Sequence, residues 1–312
     1  MDKFRLAVLV PCFNEEDSIL QVVESFKTHL PEADVYVYDN NSTDQTAIRA
    51  RKAGAIVRSE SRQGKGRVVC RMFSDIEADV YVLVDGDGTY DASMAKQLVK
   101  VLLDGQFDVV NGKRVESHEK NYRRGHRFGN FLLTGLVARI FSSQFSDMLS
   151  GYKVFSRRYV KSFPRLSEGF EIETQLTIHA LQMEMPVAEV ETTYSNRVEG
   201  SESKLSTYRD GFRILRTIAK VFISEKPVLF FNFVASIIAL AMIALFMPIF
   251  VDYRQTGLVP RFPTLLGIVG LGVAMLISMV YGYLLEVISE SRKETRRLHY
   301  LSIPLYQDHS SQ

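Results

Sequence analysis

The chain has 312 residues, 24% of them charged, with 38 Lys and Arg against 36 Asp and Glu for a formal net charge of +2. That balance gives no global electrostatic case for nucleic-acid binding, so charge has to be argued locally. The length allows about two domains, and Cys12 and Cys70, far apart and without metal-ligand spacing, fit a reduced, cytosolic setting rather than a disulfide framework.

The N-terminus leads into the apolar run Leu6 to Val10, which reads as a strand and is too short for the apolar core of a signal peptide. Helical spacing continues over Glu15 to Leu30, with Ile19, Val22, Val23, Phe26 and Leu30 on one face. Val35 to Tyr38 reads as a second strand, and Ser42 and Thr43 ahead of Thr46 to Ala53 as a capped helix. Ile56 to Arg58 is a third strand and Gly66 to Ile76 another helix. Val80 to Val84 is a continuous β-branched and aromatic run, suited to a central strand buried on both faces. This alternation predicts an α/β fold with a mostly parallel, Rossmann-like sheet and right-handed crossovers, its strand ends meeting along one edge where ligands collect.

The strand ends carry the chemistry. Val80 to Val84 runs into Asp85-Gly86-Asp87-Gly88, where two carboxylates flank a glycine and can reach one hard cation, Mg²⁺ or Mn²⁺, bridging to a diphosphate. In isolation these four residues also fit an ordinary turn; their place after a buried strand favours a ligand. The first strand ends in Pro11-Cys12-Phe13-Asn14-Glu15-Glu16 and the second in Asp39-Asn40-Asn41-Ser42-Thr43-Asp44. An aspartate there can accept hydrogen bonds from a nucleoside, or simply cap the next helix. Arg62-Gln63-Gly64-Lys65-Gly66 offers two cations on a glycine-flanked loop without the spacing of a phosphate-binding P-loop.

Basic residues recur ahead of apolar helices. Gly112-Lys113-Arg114 and then Arg123, Arg124, His126 and Arg127 precede a helix carrying Phe131, Leu132, Leu133, Leu136, Val137, Ile140 and Phe141. Arg209, Arg213, Arg216 and Lys220 lie against Ile214, Leu215, Ile218 and Phe222 in the same way. Each stretch reads either as a core helix with a solvated basic end or as an interfacial helix that meets lipid phosphate. The C-terminal third of the chain favours the interfacial helix. Pro227 to Val251 and Leu265 to Leu285 carry no charge, long enough for a transmembrane hairpin joined by Asp252 to Thr264. Lys220 and Lys226 before it, with Arg292, Lys293, Arg296 and Arg297 after it, outnumber Arg254 and Arg261 in the connector, which puts both ends in the cytoplasm.

Taken together and in order, these motifs resemble the family 2 glycosyltransferases with a GT-A fold, and within them the polyprenyl-phosphate glycosyltransferases such as dolichol-phosphate mannosyltransferase. The resemblance runs from about Leu6 to Leu215. It rests on Val10-Pro-Cys-Phe-Asn-Glu15, Asp39-Asn-Asn-Ser-Thr-Asp44, Gly64-Lys-Gly66, Asp85-Gly-Asp87, Asp147-Met-Leu-Ser-Gly-Tyr-Lys153, Gly169-Phe-Glu-Ile-Glu-Thr174 and Ser203-Lys-Leu205. It implies that Pro11, Phe13, Glu15, Asp39 and Lys65 hold the donor, with Asp85 at the ribose or metal and Asp87 on the metal. Arg114, Arg123, Arg124, Arg127 and Arg197 are its candidates for the acceptor phosphate. Lys204 joins Asp85, Asp87 and Arg114 in the catalytic set, and the loop it shares with Arg197 reads either as one that closes over the phosphates or as an exposed polar loop. Thr89 stands where relatives often carry Asn or Gln, which leaves the third metal contact open. Glu171 and Glu173 are expected as helix N-terminal carboxylates near the sugar or acceptor.

The organisation implied is a cytosolic GT-A domain at 1–206, an amphipathic juxtamembrane helix at 207–226, spans at 227–251 and 265–285, and a basic cytoplasmic tail at 286–312. The expected activity is inverting transfer of a sugar from a UDP- or GDP-sugar to undecaprenyl or dolichyl phosphate on the cytoplasmic leaflet, for cell-envelope glycan or glycoconjugate assembly, with Mg²⁺ or Mn²⁺ as cofactor. In a bacterium the membrane is the inner one. Nucleic acid is not an expected partner, and a homo-oligomer is compatible with this reading. A polysaccharide synthase acting on a glycan or glycolipid is the alternative, against which stands the absence of any Trp for a Gln-x-x-Arg-Trp motif. A non-catalytic membrane scaffold is the third reading.

Overall fold

The computed structural model describes residues 4–116, 135, 145–164, 172–195, 216, 220 and 222–304. Strands and helices alternate as the apolar spacing dictates: β1 (Leu6–Cys12), α1 (Ile19–His29), β2 (Ala33–Asp39), α2 (Thr46–Lys52), β3 (Ile56–Ser59), α3 (Lys65–Asp75) and β4 (Val80–Leu83). A 3-10 turn at Ala92–Met94 leads into α4 (Ala95–Asp104), then β5 (Val109–Glu116), β6 (Lys153–Ser156), α5 (Arg157–Ser162), α6 (Ile172–Gln182) and β7 (Val187–Tyr194). Two long helices complete the described chain, α7 (Pro227–Thr256) and α8 (Phe262–Ser302).

The described strands form one sheet in the order β3-β2-β1-β4-β6-β5-β7. It is parallel except at β6, which runs against both β4 and β5. Every residue of β1 and β4 is buried, so these strands have a core on each face. Side-chain alternation divides the two cores. Val8, Val10 and Val82 point to α1 and α4, packing with Val23, Phe26, Leu98 and Leu102. Leu9, Tyr81 and Leu83 point the other way, to Val69, Met72 and Phe73 of α3 and Leu176 of α6. The order reverses between β1 and β4, because β2 and β3 lie on one side of β1 and β4 on the other. A crevice opens at the carboxyl ends of strands at such a switch point.

Two local readings change. The first helix begins at Ile19 rather than Glu15, because Glu15 O accepts from the amides of Ser18 and Ile19 in a turn and Asn14 is left-handed at φ 53. Ser42 and Thr43 do not cap α2, whose N-cap is Gln45. They tie two loops together instead: Asn14 N donates to Ser42 Oγ at 2.9 Å, and Thr43 N to Asn14 Oδ1 at 2.8 Å.

The chain divides into two compact units, Met1–Ile214 with Arg296–Gln312, and Leu215–Thr295. In the first, the end of α8 adds to the fold: the Tyr300 hydroxyl donates to Asp108 Oδ2 at 2.6 Å, and the Arg158 guanidinium lies 4.7 Å from the Tyr300 ring centre. In the second, α7 and α8 are long and apolar enough to cross a membrane. They pack as an antiparallel pair, with Ser278 Oγ donating to Phe231 O at 3.2 Å and Lys293 paired to Glu225 at 2.6 Å. Phe233, Leu240, Leu266 and Tyr283 are exposed on its outside. Beyond the uncharged run that ends at Leu285, α8 continues as helix to Ser302.

Candidate active site

The crevice is assembled from loops that strand ends deliver. After β2, Asn40 organises the segment beyond β3: its Nδ2 donates to Glu60 O at 2.8 Å and Arg62 O at 2.9 Å, and its Oδ1 accepts from Gly64 N at 2.7 Å. Gly64 sits at φ 132, a conformation that side-chain-bearing residues rarely adopt, and starts α3 so that Lys65 is its first residue. Asp39 closes β2 at 9% exposure. Its Oδ2 accepts from Ser42 N at 3.3 Å, while its Oδ1 is buried without a hydrogen-bond partner. A buried acceptor left unmatched costs on the order of 1–3 kcal/mol, so this oxygen suits a donor brought by a ligand.

The loop after β4 is held just as closely. Ser18 Oγ donates to Gly86 O at 2.6 Å, and a Cβ on Gly86 would lie 2.6 Å from Cys12 Sγ, so only glycine fits between the two carboxylates. Asp87 is 5% exposed, and its Oδ1 accepts from Thr89 N at 3.2 Å and Thr89 Oγ1 at 2.7 Å. Thr89, the departure from the family pattern, therefore orients Asp87. Asp85 lies against Gly151, where a Cβ would come within 2.8 Å of its Cγ.

Lys65 joins the two sides. Its Nζ lies 2.5 Å from Asp85 Oδ1 and 2.5 Å from Glu173 Oε1 in the first turn of α6. Burial alone would push this ammonium toward the neutral form, but the two carboxylates outweigh it and hold its pKa well above the ordinary lysine value. The resulting cleft has a volume of about 280 Å³ and is lined by Pro11, Cys12, Phe13, Glu15, Asn40, Gln63, Gly64, Lys65, Val68, Asp85, Gly86 and Asp87. Six residues expected from the sequence thus share one cavity: Pro11, Phe13, Glu15, Lys65, Asp85 and Asp87. Asp39 is not among the lining residues, although the next residue, Asn40, is.

Arg114 lies on β5 and forks onto Asp147, Nε to Oδ2 at 2.7 Å and Nη2 to Oδ1 at 2.8 Å. Burial works against the Asp147 carboxylate, but the guanidinium overrides it and holds its pKa below the ordinary aspartate value. Arg114 also lies over the Tyr194 ring, 5.6 Å from its centre. Tyr194 packs on Tyr90 with ring centres 5.3 Å apart, and the Tyr90 hydroxyl accepts from Gly151 N at 2.8 Å. An unbroken series of contacts therefore runs from Arg114 through Tyr194, Tyr90 and Gly151 to Asp85. Burial first, and then the charge of Asp85, raises the Tyr90 pKa, so this hydroxyl stays protonated. Arg123, Arg124, Arg127, Glu171, Arg197 and Lys204 lie outside the described residues.

Among the described residues, no group of three or more His, Cys, Asp and Glu side chains is placed to hold a metal ion unaided. Sequence reasoning also passed over Asn40, Ser18, Tyr90 and the Lys65–Glu173 pair, and gave no role to Lys153. The last is fully buried on β6, its Nζ 2.5 Å from Asn111 Oδ1, and burial pushes its pKa down to about 8 against the opposing pull of Asp147, Glu173 and Glu189. No local spacing signals such partnerships, which join residues far apart in the chain.

The sequence profile described as Glycosyl transferase family 2 matches residues 7–163, half of the chain. Glycosyltransferase AglJ of Haloferax volcanii is 32% identical over 228 residues, spanning 73% of this chain and 75% of AglJ. The chain belongs to glycosyl transferase family 2. This family 2 glycosyltransferase is also similar to the dolichyl-phosphate hexose transferase of Haloferax volcanii, at 27% identity over 71% of this chain and 95% of that one. Among solved structures, glucosyl-3-phosphoglycerate synthase from Mycobacterium tuberculosis, in complex with Mn²⁺, uridine diphosphate and phosphoglyceric acid, matches with a TM-score of 0.58 at 24% identity, over 70% of this chain and 78% of that chain. The likeness bears out the GT-A fold expected for a family 2 glycosyltransferase.

Proposed function

We propose that the protein transfers a sugar, with inversion, from a UDP- or GDP-sugar to polyprenyl phosphate at the cytoplasmic face of a membrane. One observation carries this reading: a cleft with paired carboxylates and a lysine at the switch point of a GT-A sheet occurs in the same chain as two helices of membrane-crossing length. The similarity to a dolichyl-phosphate hexose transferase supports the lipid-phosphate acceptor. The complex of glucosyl-3-phosphoglycerate synthase with Mn²⁺ and uridine diphosphate supports the nucleotide donor and the metal. Residues 1–206 are the catalytic domain in this reading, 207–226 its juxtamembrane helix, and the catalytic domain and tail are both cytoplasmic.

The donor set suits a hard cation. Asp85 and Asp87 offer carboxylate oxygens on either side of a glycine, although Lys65 occupies Asp85 Oδ1 and has to give way to an ion there. Mg²⁺ and Mn²⁺ are commonly bound by one or two carboxylates completed by substrate phosphates. Asp85 and Asp87 would hold the ion, which supplies charge neutralisation of the departing diphosphate. Asp39, with Pro11, Phe13 and Glu15, receives the nucleoside. Lys65 stabilises the negative charge of the diphosphate, and Arg114 the acceptor phosphate, together with Arg123, Arg124, Arg127 and Arg197. Arg197 and Lys204 are assigned to compensate the charge of the same paired anions. Because the acceptor is already anionic at neutral pH, no strong general base is required. The protein positions two anions that repel each other and compensates their charge.

The test is release of nucleoside diphosphate by the purified full chain in nanodiscs, across a panel of UDP- and GDP-sugars with Mn²⁺. Release that depends on added polyprenyl phosphate is expected for one donor. Release with every donor only when a glycan is added would contradict the proposal.

A further inference from the structure

Lys65 stands where a metal-binding carboxylate would otherwise face an incoming cation. Its ammonium is 2.5 Å from Asp85 Oδ1 and, at the same distance, from Glu173 Oε1. Three features fix it there. Gly64 holds a left-handed turn that makes Lys65 the first residue of α3, and the Asn40 side chain pins that turn through Gly64 N at 2.7 Å. Glu173 is anchored in the first turn of α6, and its side chain is only 13% exposed. Asp85 has little room to turn away, since it packs on Gly151, where even a methyl group would overlap it.

A divalent ion and an ammonium cannot share one carboxylate oxygen at contact distance without strong repulsion. We propose that Lys65 is a built-in counter-cation, which keeps Asp85 closed to a divalent ion until a nucleoside diphosphate draws the ammonium away. The inference rests on the donor-site reading under Proposed function. The diphosphate carries the charge that can replace Asp85 as the partner of Lys65, and Glu173 offers the ammonium a second partner during the exchange. Entry of the metal is thereby tied to entry of the donor. By linkage each strengthens the other's binding beyond their direct contact.

The test measures Mn²⁺ binding by the electron paramagnetic resonance signal of the free ion, with the full chain in detergent and no nucleotide. Lys65→Met and Lys65→Gln are both prepared, so that one folded variant suffices, and thermal unfolding checks each. Lys65→Met or Lys65→Gln should bind Mn²⁺ roughly tenfold more tightly than the wild type, at the lower end of coupling between sites. The gain in Mn²⁺ affinity on adding UDP or GDP should shrink in the same variants. Arg62→Gln removes an equal charge from the same loop, one that is half-exposed and paired to Glu60 rather than Asp85, and should leave Mn²⁺ affinity within about twofold.

Unchanged or weaker Mn²⁺ binding in a folded Lys65 variant would overturn the proposal. So would an equal gain in Arg62→Gln, which would reduce the effect to net charge. Failure of the donor-site reading looks different: UDP and GDP would then fail to promote Mn²⁺ binding in the wild type, and Asp87→Asn would change nothing.

Discussion

Arg114 grips Asp147 through a two-bond fork, 2.7 and 2.8 Å long, and its backbone amide donates to the same carboxylate at 3.2 Å. The side chains are 14% and 9% exposed, so the pair is largely withdrawn from water. Removing one partner of such a pair strands the other's charge, at a cost of about 3 kcal/mol. Asp147→Asn should therefore lower the unfolding free energy of the catalytic unit by about that amount, measured by denaturant titration at neutral pH. A loss below about 0.5 kcal/mol would show that the pair behaves as an exposed one.

Arg114 itself is predicted to serve the acceptor. Arg114→Ala should raise KM for polyprenyl phosphate roughly thirtyfold, the equivalent of about 2 kcal/mol for a lost charged hydrogen bond. Nucleotide affinity, read by calorimetry, should change by less than about threefold, because the residue is separated from the donor cleft by Tyr194, Tyr90 and Gly151. Equal losses in both would assign Arg114 to the donor or to the fold.

Asp87→Ala should abolish turnover while the fold survives. The carboxylate follows a strand end, accepts from Thr89 and belongs to neither hydrophobic cluster, so its removal leaves both hydrophobic faces of the sheet untouched. Near-normal turnover with divalent cation present would exclude it from the metal site; circular dichroism checks the fold.

How much of the molecule is legible in its sequence depends on range. β1, β2, β3 and β4 appear within a residue or two of their apolar runs, and β1 and β4, buried on both faces, leave a continuous local signature. Six of the residues singled out in the sequence, Pro11, Phe13, Glu15, Lys65, Asp85 and Asp87, line one cavity, while Asp39 does not. The reversed strand β6 is not legible, since the direction of a strand is set by its neighbours and not by its own four residues. Nor is the grip of Glu173 on Lys65, which joins residues 108 positions apart. Ser42 shows the opposite error: a residue chemically suited to capping the next helix is used to brace the loop after β1.

His179 gives the catalytic unit an acid-sensitive point. It is 3% exposed, packed between Tyr159 and Phe163, and its Nδ1 has no hydrogen-bond partner. Burial first, and the nearby positive charge of Arg296 second, lower its pKa to about 3. The unfolded chain takes up this proton near pH 6.5, so the stability tied to neutral His179 is complete above about pH 6.5 and is lost as the pH falls toward 3. Between about pH 7 and pH 5 the wild type should lose about 2 kcal/mol more than His179→Phe, by urea titration at each pH. Parallel losses in both proteins would move the acid sensitivity elsewhere.

The hairpin reading predicts a topology. A reporter fused after Gln312 and another inserted near Thr256, in the last turn of α7, should report opposite sides of the membrane, the tail being cytoplasmic. Cytoplasmic labelling at Thr256 would remove the hairpin and with it the membrane-facing acceptor.

The central claim, that the acceptor is a lipid phosphate, is tested most directly by the mass of the product. Full-length protein in nanodiscs is given a nucleotide sugar with Mn²⁺ and either polyprenyl phosphate or the matching polyprenol, and the extracted lipid is analysed by mass spectrometry. The account predicts that one sugar is added to polyprenyl phosphate and none to polyprenol. A glycosylated polyprenol or glycan, with polyprenyl phosphate left unmodified, would contradict it.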